Sequence, residues 1–151
     1  MPEKKTLERA QEDAREGKAP STQAGEFVRE EMEHIREGKH GARSTKQAIA
    51  IGLSKARRAG VKLPPPKEGK VSQRTRKQAE RNYAQGQTSP GRKASPRRAR
   101  ATEMALQREG KQAASQSALS RQARASARSR GAANRSLAAK KAARTRARET
   151  S

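Results

Sequence analysis

The sequence predicts an all-α protein with a small helix–loop–helix core and a long, basic, partly disordered helical tail rich in Ala, Arg and Lys. Two observations lead to this prediction. Apolar residues recur every three to four positions between capping and stop residues, most clearly over residues 44–60, which is typical of amphipathic helices. Only 30% of the residues are hydrophobic and 1% are aromatic, so burial cannot offset the ordering entropy of the whole chain.

Two helices are expected before residue 40. The first covers about residues 3–16 and has little apolar content, whereas the second covers residues 22–37. The apolar face of the second consists of Phe27, Val28, Met32 and Ile35. A glycine follows each of them, Gly17 and Gly38, and glycine readily adopts the left-handed conformation that ends helices.

Residues 44–60 carry complete helix start and stop signals and are expected to form the centre of the fold. Ser44 with Gln47 three residues later is a capping box, and Gly60 supplies the stop. Ala48, Gly52 and Ala56 form a seam of small residues spaced by four, to which another helix can pack closely. We expect this helix to pack against residues 22–37, and the seam also offers a homodimer contact.

The chain after residue 63 reads as connectors and basic helices. Prolines at 64–66 predict a stiff, extended connector, and a helix is expected over residues 72–85. A Ser-Pro pair at 95–96 can cap and open a further helix ending at Gly110. The remainder favours helix through its alanines, but its positive charge opposes a compact fold.

These signals divide the chain into four segments. They are an N-terminal arm (1–21), the core (22–63), a Pro-rich linker with a basic helix (64–94) and the tail (95–151). The sequences EMEHIREGK (31–39) and EMALQREGK (103–111) match at six of nine positions. The tail is therefore a candidate for a degenerate repeat of the core, although Glu-Gly-Lys also ends helices by chance in such a composition.

The charge predicts a polyanionic partner. The formal net charge is +22, and the excess of Lys and Arg begins after residue 40, since residues 1–40 are close to neutral. Nucleic acid is the first expectation, whereas no stretch is apolar enough to cross a membrane. Without Cys there is no disulfide or thiolate site, and the N-terminus lacks the apolar region of a signal peptide. We expect a cytoplasmic, nucleoid-associated protein.

The candidate nucleic-acid-binding residues are basic side chains beyond residue 40. Lys and Arg neutralise phosphates and give affinity without sequence information. The candidates are Arg43, Lys46, Lys55, Arg57, Arg58, Lys62, Arg74, Arg76, Lys77, Arg92, Lys93, Arg97, Arg98, Arg100, Lys140, Lys141, Arg144 and Arg146. Phe27 and Tyr83 are the only aromatic side chains, too few to stack single-stranded bases, so double-stranded DNA is favoured.

Three short motifs resemble parts of known DNA-binding tails. SPGRK (89–93) and SPRR (95–98) resemble the Ser-Pro-Lys-Lys units of linker-histone tails, in which basic side chains enter a narrow minor groove. AAKKAARTRAR (138–148) resembles the Ala/Lys/Arg tails of linker histones and bacterial histone-like proteins. An ordinary proline linker in a basic chain is the alternative for the first two.

Catalytic and metal sites are not expected. His34 and His40 have acidic neighbours at Glu30, Glu33 and Glu37, but surface histidines in a charged helix and loop are the simpler interpretation. No Walker loop, GxGxxG motif or Ser/His/Asp set is present. We therefore predict no enzyme activity, no cofactor and no metal.

Residues 24–87 resemble a family of small basic bacterial proteins with an uncharacterised domain, often described as DNA-binding, histone-like or plasmid-stabilisation proteins. The most specific piece is EGKHGARSTKQAIAIGLSKARRAG (37–60). The resemblance implies a bacterial cytosolic setting and DNA binding, and it brings no catalytic residues.

Three functions remain open at this point. The first is histone-like, largely sequence-nonspecific binding of duplex DNA, in the nucleoid or in plasmid maintenance. The second is an RNA-binding or ribosome-associated protein, because the electrostatics are the same. The third is a helix-turn-helix regulator that reads the groove with Lys46 and Gln47, although the six-residue loop at 38–43 is longer than the usual turn.

Overall fold

The computed structural model describes residues 2–150, and within this range the chain is helical without a β-strand. The elements are α1 (Lys4–Arg15), α2 (Pro20–Glu37), α3 (Thr45–Arg58), α4 (Gln73–Thr88), α5 (Pro96–Gln107), a short 3₁₀ turn (Gln112–Ala114) and α6 (Gln116–Glu149). The all-α prediction is thus confirmed. No helix in the described range is long and apolar enough to cross a membrane.

The chain forms two compact units, one up to Ser115 and one from Gln116 onward. The first unit holds α1 to α5 and the 3₁₀ turn, and the second holds α6. This division is coarser than the four segments predicted from composition.

Local signals set several helix ends as predicted. The backbone N–H of Gln47 donates to Ser44 Oγ at 3.1 Å, and the Gln47 side-chain oxygen accepts from the N–H of Arg43 at 2.6 Å. The returning bond thus reaches one residue further back than in the usual capping box. Gly38 (φ 79°) and Gly60 (φ 102°) adopt the left-handed conformation where α2 and α3 end.

The Ser44 cap gives a direct stability prediction. Ser44→Ala removes the acceptor for one unpaired N–H of the first turn and is expected to lower the free energy of unfolding by about 1 kcal/mol. Ser54→Ala, in the body of α3, is the matched control and is expected to change it by less than about 0.5 kcal/mol. Urea denaturation followed by circular dichroism measures both, and equal effects would contradict the capping role.

Helix α3 is the centre of the first unit, as expected. It packs against α2, α4 and the 3₁₀ turn, and its small residues Ala48, Gly52 and Ala56 are buried. An added Cβ at Gly52 would lie 2.6 Å from Val28 Cα, so the backbones of α2 and α3 are in close approach. The predicted seam is therefore covered by α2 of the same chain, and the structure gives no support for a homodimer through it.

The hydrophobic core lies where α1, α2 and α3 meet. Its buried members are Ala10, Ala24, Phe27, Ala56 and Val61, with Leu7, Leu53, Ala59 and Leu63 packed around them. Phe27 is fully buried, and most of the other buried residues are alanines. This small core agrees with the low apolar content of the sequence.

The loop between α2 and α3 is bound to the last turn of α5 and to the segment that follows it. The N–H of Gly41 donates to the Leu106 carbonyl at 2.9 Å, and the N–H of Ala42 donates to the Gly110 carbonyl at 3.2 Å. Thr45 Oγ1 donates to the Ala113 carbonyl at 2.7 Å. The end of α5 therefore belongs to the same unit as the core, beyond the core boundary that we predicted at residue 63.

The prediction of partial disorder in the tail is not supported, because α6 is helical over Gln116–Glu149. Alanine has the highest intrinsic helix propensity, and Arg146 and Arg148 in the last turn interact favourably with the helix dipole. A break occurs at Gly131 (φ 74°, ψ 163°). Helix α5 ends at Gln107, three residues before the glycine at which we expected its end.

Candidate nucleic-acid interface

The carboxylates of the N-terminal helices are largely engaged with nearby cations. Lys18 Nζ lies 2.8 Å from Asp13 and 2.9 Å from Glu16. The hydrogen bond to Asp13 has the larger effect and that to Glu16 the smaller, and together they raise the pKa of Lys18 above its usual value. Arg29 likewise contacts Glu33 at 3.2 Å. The carboxylates of the N-terminal segment are therefore mostly paired within that segment.

Most of the predicted binding residues are exposed and lack such partners. Within residues 2–150, no ion pair involves any of the exposed ones. They lie at the start of α3, after α3, on α4, in and after the loop at 89–95, and on α6. They are Arg43, Lys46, Lys62, Arg74, Lys77, Arg92, Lys93, Arg97, Arg98, Arg100, Lys140, Lys141, Arg144 and Arg146.

Two predicted residues instead hold the proline connector in place. Arg57 is buried, and its guanidinium donates to the carbonyls of Leu63 and Pro64, both at 3.2 Å. Burial lowers the pKa of Arg57 from its usual value. Arg76 donates to the Pro66 carbonyl at 3.2 Å. Both side chains are engaged in the fold, and we remove them from the candidate interface.

Lys55 and Arg58 are also partly covered. Lys55 forms an ion pair with the buried carboxylate of Glu31, and Arg58 Nε donates to the Ser54 carbonyl at 3.5 Å. Helical spacing alone does not distinguish these cations from the exposed ones, because α2 and α4 cover most of α3 only in the folded unit.

Helix α6 presents further basic side chains that we did not single out. Arg121, Arg124 and Arg128 are exposed and follow helical spacing before the break at Gly131. Arg148, also not predicted, continues the same spacing after the break with the predicted Lys140, Lys141 and Arg144. This spacing is visible in the sequence. We expected a partly disordered tail, however, and in a disordered segment residues three or four apart do not share a face.

Helix α3 has few exposed side chains that could contact base edges in a DNA groove. Only Lys46 and Ala50 of this helix are exposed, the rest being half-buried or buried, and the side chain of Gln47 is bonded to the backbone of Arg43. A recognition helix presents a row of side chains to base edges. The helix-turn-helix alternative therefore has less structural support than binding through distributed cations.

The two histidines are not ordinary surface residues, contrary to our expectation. The side chains of His34 and His40 are only 13% and 12% exposed. His40 Nε2 lies 3.1 Å from Glu31 Oε2, and His34 Nε2 lies 2.9 Å from Glu3 Oε1. The hydrogen bond from His34, with that from Lys39, lowers the pKa of Glu3. Acidic neighbours within a few residues were visible in the sequence, but their burial was not.

Residues 20–68 match a family of unknown function (DUF6496). The matched segment covers about a third of the chain and contains α2, the bound loop, α3 and the proline connector. The match agrees with the resemblance to an uncharacterised domain that we expected from the sequence. The description of the family does not mention DNA binding. No curated protein and no solved structure matches the chain.

Proposed function

We propose that this protein binds nucleic acid, with duplex DNA as the preferred partner, through phosphate contacts that are largely independent of sequence. The observation that carries this proposal is the set of fourteen exposed predicted cations without an ion-pair partner in the described range. The folded unit around α3 engages the N-terminal carboxylates in local pairs, so they do not neutralise this set. Histone-like coating of DNA in the nucleoid, or in plasmid maintenance, is the corresponding biological role.

The distribution of charge supports contact with an extended polyanion rather than with one small anion. The exposed cations extend from Arg43 to Arg146 along the chain. They lie on α4, in the Ser-Pro motifs and on α6, among other places. On α6 alone, ten basic side chains stand against one acidic residue, Glu149. A set spread over several helices fits a phosphate backbone, which repeats its charge at regular intervals.

The lack of aromatic side chains favours duplex over single-stranded nucleic acid. Phe27 is fully buried in the core and Tyr83 is half-buried on α4. Single-strand binders stack bases on exposed aromatic rings, which this chain does not offer. Structured RNA has a phosphate surface of comparable charge, so it is the competitor that the experiment must include.

The test is fluorescence anisotropy with a labelled random-sequence DNA duplex over a series of salt concentrations. We expect log K to fall linearly with log salt, with a slope that corresponds to at least about six phosphate contacts, or about −5. We also expect duplexes of different sequence to differ in affinity by less than about tenfold. Unlabelled structured RNA is expected to compete less well than unlabelled duplex.

Three results would contradict the proposal. A shallow slope would show that few phosphates are contacted, and a single high-affinity site among many duplexes would show specific recognition. Better competition by structured RNA would identify the other polymer and support the ribosome-associated alternative.

A further inference from the structure

A mostly buried cluster of histidine and glutamate lies on α2 and in the loop that follows it, and none of its members belongs to the fourteen cations of the proposed function. Glu31 and His34 are three residues apart on α2 and so share a face, and His40 follows in the loop. One potential ligand atom from each lies within 4.8 Å of the others. Glu3, Glu30 and His34 form a second such group, so His34 belongs to both.

Two buried carboxylate oxygens of this cluster lack a hydrogen-bond partner. They are Glu30 Oε2 and Glu31 Oε2, and their residues are only 3% and 0% exposed. His40 Nε2 lies 3.1 Å from Glu31 Oε2, but the contact is not aligned as a hydrogen bond. An unsatisfied buried carboxylate oxygen costs free energy unless a proton or another cation occupies the site.

The hydrogen bond of the other ring nitrogen of His40, Nδ1, determines whether Nε2 is free to bind that cation. His40 Nδ1 lies 2.9 Å from the carbonyl oxygen of Gly41, and a carbonyl oxygen can only accept, so Nδ1 carries the hydrogen. In the neutral ring Nε2 then has a free lone pair, 3.1 Å from Glu31 Oε2, that can bind a cation. Metal-binding histidines commonly donate their other N–H to a carbonyl in this way.

The surrounding charge also favours a divalent cation. Three carboxylates, Glu3, Glu30 and Glu31, stand against two ammonium groups, Lys39 and Lys55. With neutral imidazoles the cluster carries an excess of negative charge. Lys55 from α3 contacts the other oxygen of Glu31 and so orients the carboxylate towards His40.

We propose that Glu31, His34 and His40 bind one Zn²⁺ ion, which ties the end of α2 to the loop that follows it. Two imidazole nitrogens and a carboxylate oxygen form a ligand set that zinc uses in proteins. Bonds of about 2 Å require ligand atoms about 3–4 Å apart, which small side-chain movements achieve from the observed spacing. His34 then exchanges its contact with Glu3 for the ion.

The test is equilibrium dialysis of the full chain, free of nucleic acid, against ZnCl₂ with metal analysis by mass spectrometry. We expect one zinc per chain, and at least a tenfold weaker affinity in His40→Gln and in Glu31→Gln. Glu33→Gln is the matched control, because Glu33 lies on the same helix but is half-exposed and paired with Arg29. The control is expected to bind zinc as the unchanged protein does.

A second measurement keeps the proposal testable if Glu31→Gln fails to fold. Co²⁺ added to the unchanged protein is expected to give the visible absorption of a tetrahedral site, and His40→Gln is expected to lose it. Circular dichroism checks that each variant is folded. The proposal is overturned if the protein binds no more zinc than a His34→Gln/His40→Gln double variant. It is also overturned if both ring nitrogens of His40 still carry hydrogens at neutral pH in the presence of Zn²⁺.

Discussion

Replacing Gly52 by alanine is expected to destabilise the protein by about 1–3 kcal/mol, as overpacking of a tight interface does. The new Cβ would lie 2.6 Å from Val28 Cα and 2.9 Å from Val28 N. Both are backbone atoms, so no rotation of a side chain relieves the clash, and α2 and α3 must separate. Separation would expose the apolar contacts that surround Phe27.

Gly25→Ala is the matched control for this substitution. Gly25 lies within α2, and a Cβ there meets no atom within 4 Å. Alanine is favoured over glycine in a helix interior by roughly 0.5–1 kcal/mol, so the control is expected to be stabilising. Thermal and urea denaturation of both variants give the comparison. Stabilisation by both substitutions would show that α2 and α3 are not in close approach.

Neutralising basic side chains on α6 is expected to weaken DNA binding far more than the change in net charge explains. The variant replaces Lys140, Lys141, Arg144 and Arg146 by Gln. If each of them binds a phosphate, the slope of log K against log salt becomes shallower by about one unit for each side chain replaced. We expect the affinity at moderate salt to fall at least tenfold, as measured by anisotropy with the random duplex.

The matched control removes the same charge from α1, by replacing Lys4, Lys5, Arg9 and Arg15 with Gln. These cations lie among the carboxylates of the N-terminal segment, and Lys4 and Arg9 form ion pairs with Glu8 and Glu26. The salt slope is therefore expected to stay unchanged in the control. Equal decreases in affinity in both variants would mean that only the overall charge matters and that α6 is no specific contact surface.

Local chemistry explains why the helices of the core could be predicted. Ser44 bonds the first turn of α3, and Ser95 accepts from the N–H of Arg98 at 3.4 Å to begin α5. Gly38 and Gly60 have the left-handed conformations expected after helices. Each of these features depends on residues within one turn of the helix end, so the sequence contains the relevant information.

The candidate interface was predictable in kind but not residue by residue. A positive region beyond residue 40 follows from where Lys and Arg lie along the sequence, and most of its predicted cations are exposed. Arg57 and Lys55 are exceptions because the proline connector and Glu31 lie beside them. These contacts join separate elements, which helical periodicity does not place relative to one another.

The sequence by itself determined that the chain is helical, where α3 begins and ends, and that positive charge lies beyond the N-terminal helices. Only the tertiary structure decided that the small-residue seam meets α2, that the end of α5 bonds the loop after α2, and that His34 and His40 lie among buried carboxylates. The physical reason is the distance along the chain over which each interaction acts. Caps, turns and helix propensity act over a few residues, whereas burial and the pairing of distant groups depend on how the helices pack.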